Sequence, residues 1–182
     1  MINMAIRNFY SLTVDEAILA DRLKENSKKY GNFEVFIPTT PRLKDMDLIL
    51  MNMKNREIKT IQVKGSATYT PRKSETAKFG AGNSAWIQIN KKSIFDTQNK
   101  VDFFVFVIHN FIDKESTSSV RKDIRTNFII IPSDEFQKKL ENKKLLKNGQ
   151  YSFFFWVNNE TKTVTEFSGK QYTQDYSEYL NK

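Results

Sequence analysis

Apolar positions along the chain change period several times, and each change marks an element. Ala17, Ile18, Ala20 and Leu23 follow helical spacing. Thr13 precedes them as an N-cap, Glu16 stands at the third helical position, and both Asp15 and Glu16 suit the positive end of the dipole. Tyr30-Gly31 predicts the end of that helix. Phe33, Val35 and Ile37 alternate as a short strand stopping at Pro38. Two longer strands, about 47–53 and 57–64, flank Lys54-Asn55-Arg56. Residues 65–84 show no apolar period and hold three of the six glycines, which predicts a long connection of the kind that is usually functional or disordered.

Order is predicted to return at Ala85–Ile89 as a strand, followed by a short helix over 91–97. Val101–Ile108 (VDFFVFVI) is apolar on both faces and reads as a central strand covered on both sides. Residues 112–125 are polar and read as a solvent loop, with a buried strand at Phe128–Ile131. Ser133 caps a lysine-rich helix expected to run to about 147. Tyr151–Val157 and a run near 163–167 predict a hairpin across Asn158-Asn159-Glu160. Tyr172, Tyr176 and Tyr179 have helical spacing and read as a stripe packed onto the body of the domain. No repeat or linker interrupts this order, so 1–182 is read as a single α/β (α+β) layer domain.

One pair of strands raises a chemical question. Asp47 opens an apolar run, and a second apolar run ends in Gln62-Val63-Lys64. If the two pair about Lys54–Arg56, Asp47 lies opposite Gln62, Val63 or Lys64. Alternation puts Ile61 and Val63 on one face, Gln62 and Lys64 on the other. The plain alternative is two strand ends meeting water, with Lys64 snorkelling and paired to Asp47. The chemical alternative is a cluster of hard oxygen ligands suited to Mg²⁺ or Mn²⁺. Lys64 would then orient or deprotonate water, or neutralise charge developing on a phosphate.

Charge favours a polyanionic partner. Residues 42–100 hold 12 basic and 5 acidic side chains, most of the chain's net charge of +8. Arg72, Lys73 and Lys78 lie in the 65–84 connection, and Lys91 and Lys92 open the next helix against the dipole preference. These five are the candidate phosphate contacts, each adding salt-dependent affinity. A basic surface serving only solubility is the alternative. The absence of cysteine excludes disulfides and thiolate chemistry, and the single histidine, His109, argues against multi-histidine metal sites and Ser-His-Asp catalysis. His109 ends an apolar strand and is read as structural. No run approaches the ~20 apolar residues of a membrane span. Met1–Tyr10 lacks signal-peptide layout, so a reducing cytoplasm is expected.

Asp47-Leu48-Ile49-Leu50, a turn, then Ile61-Gln62-Val63-Lys64-Gly65 resembles the core of the PD-(D/E)xK phosphodiesterase superfamily, which includes restriction endonucleases and Holliday junction resolvases. The resemblance implies a restriction endonuclease-like core of order helix-strand-strand-strand-helix-strand over about 13–131. It implies a central mixed sheet flanked by helices, with extra C-terminal strands and a helix in the 132–182 extension it does not cover. It also implies a metal-dependent DNA endonuclease, DNA in preference to RNA, using Mg²⁺ with Mn²⁺ able to substitute. Carried over, Asp47 is a metal ligand, Gln62 takes the position of the second acid, the Val63 carbonyl supplies a further ligand, and Lys64 is the catalytic lysine. Glu16 matches the glutamate that many members add from the first helix; its other reading is the capping-box partner of Thr13. Met46 stands where the family has proline. Gln62 gives a Q-x-K version similar to Mrr-type enzymes. With no recognition module visible, a homodimer or an accessory partner is expected. The competing functions are a non-cleaving nucleic-acid-binding module and a toxin or interaction protein whose Asp47–Lys64 pair is structural.

Overall fold

The computed structural model describes residues 13–30, 32–38, 45–66, 68–69, 71–95, 100–113, 122–168 and 172–180. Helix α1 (Val14–Tyr30) precedes strands β1 (Phe33–Phe36), β2 (Leu48–Asn52) and β3 (Ile58–Ser66). Next come β4 (Thr68–Tyr69), α2 (Lys73–Phe79), β5 (Asn83–Asn90) and α3 (Lys91–Phe95). Strands β6 (Phe103–Asp113) and β7 (Lys122–Pro132), helix α4 (Ser133–Lys139), and strands β8 (Gln150–Asn158), β9 (Thr163–Ser168) and β10 (Tyr172–Asp175) complete the order. A 3₁₀ turn, Ser177–Tyr179, follows β10. The chain is thus α+β, with a mixed sheet and four helices among the described residues. Among the described residues, no helix is long and apolar enough to cross a membrane.

The strands form two five-stranded sheets. The first has order β1-β2-β3-β6-β7, antiparallel except for the parallel pair β3–β6. The second, β10-β9-β8-β5-β4, is antiparallel throughout. One face of the first sheet (Leu48, Ile61, Val63, Val105, Val107) packs on Leu19 and Ala20 of α1. Its other face (Phe104, Phe106, Ile108, Ile129, Ile131) meets Phe153, Phe155 and Val157 of the second sheet, with Phe136 of α4. The expected helix-flanked sheet therefore has a helix on one side and mainly a second sheet on the other. The C-terminal extension supplies most of that covering sheet. β6 is buried on both faces, as its uninterrupted apolar run predicts.

Four boundaries differ from the sequence expectation. The 65–84 connection holds the end of β3, then β4 and α2, whose Phe79 supplies the apolar anchor that a period search over a short helix misses. The polar 112–125 stretch belongs in part to two long strands: β6 reaches Asp113 and β7 starts at Lys122, paired as Asp113 with Lys122. Cross-strand pairing carries polar residues beyond the buried part of the sheet. Helix α4 stops at Lys139 rather than 147, and Lys143 instead turns inward to Glu166. Tyr172 lies in β10, while Tyr176 and Tyr179 are buried at the 3₁₀ turn, so their shared spacing is not helical. Residues 96–97 of the expected short helix lie outside the described residues.

Candidate active site

The β2–β3 hairpin pairs Leu48 with Ile61 and Met51 with Ile58. Arg56 takes a positive φ of 60° to close its turn. Asp47 lies one step beyond Leu48, in line with Gln62. Its N–H donates to the Ile61 carbonyl at 2.8 Å, and its Oδ2 accepts the Val63 N–H at 2.6 Å. The carboxylate thereby satisfies a strand N–H beyond the last β2 pair. Its other oxygen, Oδ1, makes no hydrogen bond among the described residues.

Burial pushes the Asp47 carboxyl up to about 6. The Val63 hydrogen bond and the Lys64 ammonium oppose that rise, and the charges of Glu16 and Asp45 add to it. Asp47 thus sits in a negative, half-buried environment with one ammonium nearby. A cation would relieve the carboxylate crowding, because it favours the ionised form.

Gln62 and Lys64 pair in register with Phe104 and Phe106, on the side of the first sheet that meets the second. Gln62 is 1% exposed. Its Nε2 makes a long 3.5 Å contact to Asp45 Oδ1, and its Oε1 is buried with no hydrogen-bond partner among the described residues. A buried amide oxygen left unmet costs about 1–3 kcal/mol. Lys64 is half-buried and makes no hydrogen bond or ion pair among the described residues. It acts on Asp47 through space rather than by contact.

Glu16 keeps its capping role: its Oε2 accepts the Thr13 N–H at 2.9 Å, and its own N–H donates to Thr13 Oγ1 at 3.3 Å. It also raises the Asp47 carboxyl, so it is an electrostatic neighbour of the site, although α1 packs on the opposite face from Gln62. The basic candidates are more dispersed. Lys91 and Lys92 are exposed at the start of α3, whose Ser93 Oγ lies 3.5 Å from Asp45 Oδ1. Arg72 and Lys73 are exposed at α2, which packs through Phe79 against Trp156 and Phe167 on the outer face of the second sheet. Lys78 lies over the Phe79 ring at 4.7 Å.

Two groups at this end of the sheet were missed. Asp45 joins Asp47, Gln62 and Ser93; the Asp-x-Asp spacing ahead of the strand was its only signal. Asp15, read as a dipole acid, accepts from His109 Nε2 at 2.7 Å, and His109 Nδ1 lies 3.0 Å from Thr126 Oγ1. This chain crosses from α1 to β7 and has no local sequence signature.

The oxygens at this end of the sheet are the neighbouring Asp47 and Asp45 carboxylates and the Gln62 carbonyl oxygen, although Gln62 turns its NH₂ rather than its oxygen toward Asp45. That set suits Mg²⁺ or Mn²⁺, and the unmet Gln62 oxygen fits a ligand role. Among the described residues, no three acidic or histidine side chains converge as a complete ligand set. Water or substrate oxygens would have to complete the shell, as they commonly do for Mg²⁺. No protein-family model, curated protein or solved structure matches the chain at a significant level.

Proposed function

We propose that the protein is a metal-dependent nuclease with a restriction endonuclease-like core, hydrolysing phosphodiester bonds of DNA. The observation that carries this reading is the placement of Asp47 in line with Gln62, whose buried Oε1 has no hydrogen-bond partner among the described residues, beside a Lys64 that makes no ion pair among them. The order α1-β1-β2-β3-α3-β6, with β4, α2 and β5 inserted, supports it, because this is the element order the resemblance implies. A bound Mg²⁺ supplies Lewis-acid activation of water and charge neutralisation at phosphate. Asp47, Gln62 and Asp45 would hold it, with Glu16 adding negative charge. Lys64 sits on the Gln62 face to accept or donate a proton at the attacking water or to steady phosphate charge.

A second reading has one observation in its favour. Asp47 Oδ2 already serves the Val63 N–H, and a site short of carboxylates suits a module that binds nucleic acid without cutting. One set of measurements separates them. Wild type should nick DNA with Mn²⁺ or Mg²⁺ and lose activity in chelator. Asp47→Ala and Lys64→Ala should each cut at least a hundredfold more slowly while melting cooperatively, given the ~10²–10⁴-fold scale of lost electrostatic and proton-transfer contributions. Gln62→Glu keeps the oxygen and adds charge, so Mn²⁺ should bind as tightly or more tightly by calorimetric titration. Normal cutting by either alanine variant would refute the catalytic assignment. Binding without cutting by wild type would favour the second reading.

A further inference from the structure

We propose that the outer face of the second sheet, centred on Trp86, stacks an unpaired nucleobase of single-stranded nucleic acid. This rests on the nucleic-acid reading above but not on cleavage. Outward positions of a solvent-facing antiparallel strand are ordinarily polar, yet Trp86 projects there 48% exposed. Its partner in register on β8 is Phe154, itself half-buried. The aromatic surface continues two residues along β8 to Trp156, which lies under Phe79 of α2. Outward neighbours on β5 and β8, Ser84, Gln88 and Ser152, carry no charge.

The indole is held in place. Ser66 Oγ accepts the Trp86 N–H and donates to the Trp86 carbonyl, both at 3.0 Å, and the indole Nε1–H donates to Ser152 Oγ at 2.6 Å. A ring already fixed at backbone and edge loses little entropy when a base stacks on it. Ser66 lies two residues beyond Lys64 on β3, so this platform adjoins the strand that carries the candidate site. Charge flanks it at both ends of β5. Arg72 and Lys73 are exposed on the α2 side, and Lys91 and Lys92 follow Asn90, roughly 13 Å along the strand at ~3.3 Å per residue. Between residues 71 and 92 the only acid is Glu75, and its carboxylate is turned onto the Arg72 N–H. A fixed aromatic ring between cation clusters is the combination that binds single strands without sequence preference.

The chain's two tryptophans make the test direct, because Trp156 is buried and reports the fold while Trp86 reports the platform. Titration of the full chain in chelator with an oligothymidine strand should quench the exposed fluorescence saturably, and a duplex of equal length should quench it far less. Trp86→Ala should weaken single-strand binding about 5- to 150-fold, the range for losing one stacked base, and Trp86→Phe should restore most of it. Lys91→Gln with Lys92→Gln should reduce the salt slope by about 1 to 2. Equal binding by Trp86→Ala with an unchanged melt would overturn the proposal. So would equal quenching by duplex, or no nucleic-acid binding at all, which would leave the face to a protein partner. Stacking without cutting in Mn²⁺ would count against the nuclease reading alone. Cutting with Trp86→Ala unimpaired on single strands would count against the platform alone.

Discussion

At the scale of single residues, Asp47 links stability to function. Its carboxyl stands at about 6 in the fold against an ordinary aspartate value of 3.8. The folded state therefore holds this proton more tightly than the unfolded chain. That contribution is complete below about pH 4 and is lost as pH rises through 6. A shift of this size corresponds to about 3 kcal/mol at most. Asp47→Asn keeps an acceptor for the Val63 N–H and never ionises. It should melt higher than wild type at pH 7.5 while losing Mn²⁺ affinity and cutting, a stability gain made at the expense of the site. Melts from pH 4 to 8 check this: the acid-side decline in wild-type stability with rising pH should be absent from the variant. Mn²⁺ binding near pH 6 should release a proton, since a cation favours the carboxylate.

At the scale of elements, the placement of α1 depends on Gly65. A Cβ there would overlap the Asp15 carboxylate, which comes down onto the bare backbone of β3 to meet His109. Gly65 is needed for close approach rather than for an unusual φ. Gly65→Ala should cost about 1–3 kcal/mol by overpacking this contact, and hydrogen exchange should quicken in the first turn of α1. Asp15→Ala alone should cost about 1 kcal/mol through the lost His109 hydrogen bond. The double variant should be less destabilised than the sum, because the alanine methyl then has room. Additive losses in urea denaturation would show that Asp15 does not set the helix position. The same turn carries Glu16, so Gly65→Ala should also alter the Mn²⁺ affinity of the neighbouring site.

At the scale of the whole molecule, the two sheets share one apolar layer, and a buried ion pair closes its far side. Lys143 Nζ donates to Glu166 Oε1 at 2.6 Å with both side chains at most 1% exposed, and the ammonium lies 4.6 Å from the Phe153 ring centroid. Burial pulls the Lys143 pKa down while Glu166 opposes the shift. Lys143→Met takes the ammonium from a wholly buried carboxylate and should cost about 3–5 kcal/mol. Lys143→Met with Glu166→Leu should recover most of that loss. Both should unfold in one transition with the wild-type urea slope if the sheets form one cooperative unit. A double variant no more stable than the single would show that the pair is held by more than charge compensation.

Local periodicity determined much by itself. The capped first helix, the β2–β3 hairpin, the doubly buried β6, and the approach of Asp47 to the Gln62–Lys64 end of that hairpin all follow from spacings of a few residues, while the structure chose Gln62 among the three possible partners in register. Those features are set by neighbours in sequence, where alternation and turn chemistry act directly. Tertiary structure decided the rest. Whether the second face of the first sheet met helices or another sheet depended on where β5 and β8 paired, 60 or more residues apart along the chain. Helix α4 stopped at Lys139 where its composition would have continued, and Lys143 beyond it turned inward to a buried carboxylate 23 residues away. Asp45, Asp15 and Trp86 became notable only through partners on other elements: Gln62 and Ser93, His109 and Gly65, Ser66 and Ser152. Burial and charge crowding are properties of assembled surfaces. For that reason the raised Asp47 carboxyl and the unmet Gln62 oxygen emerge only when the strands are brought together.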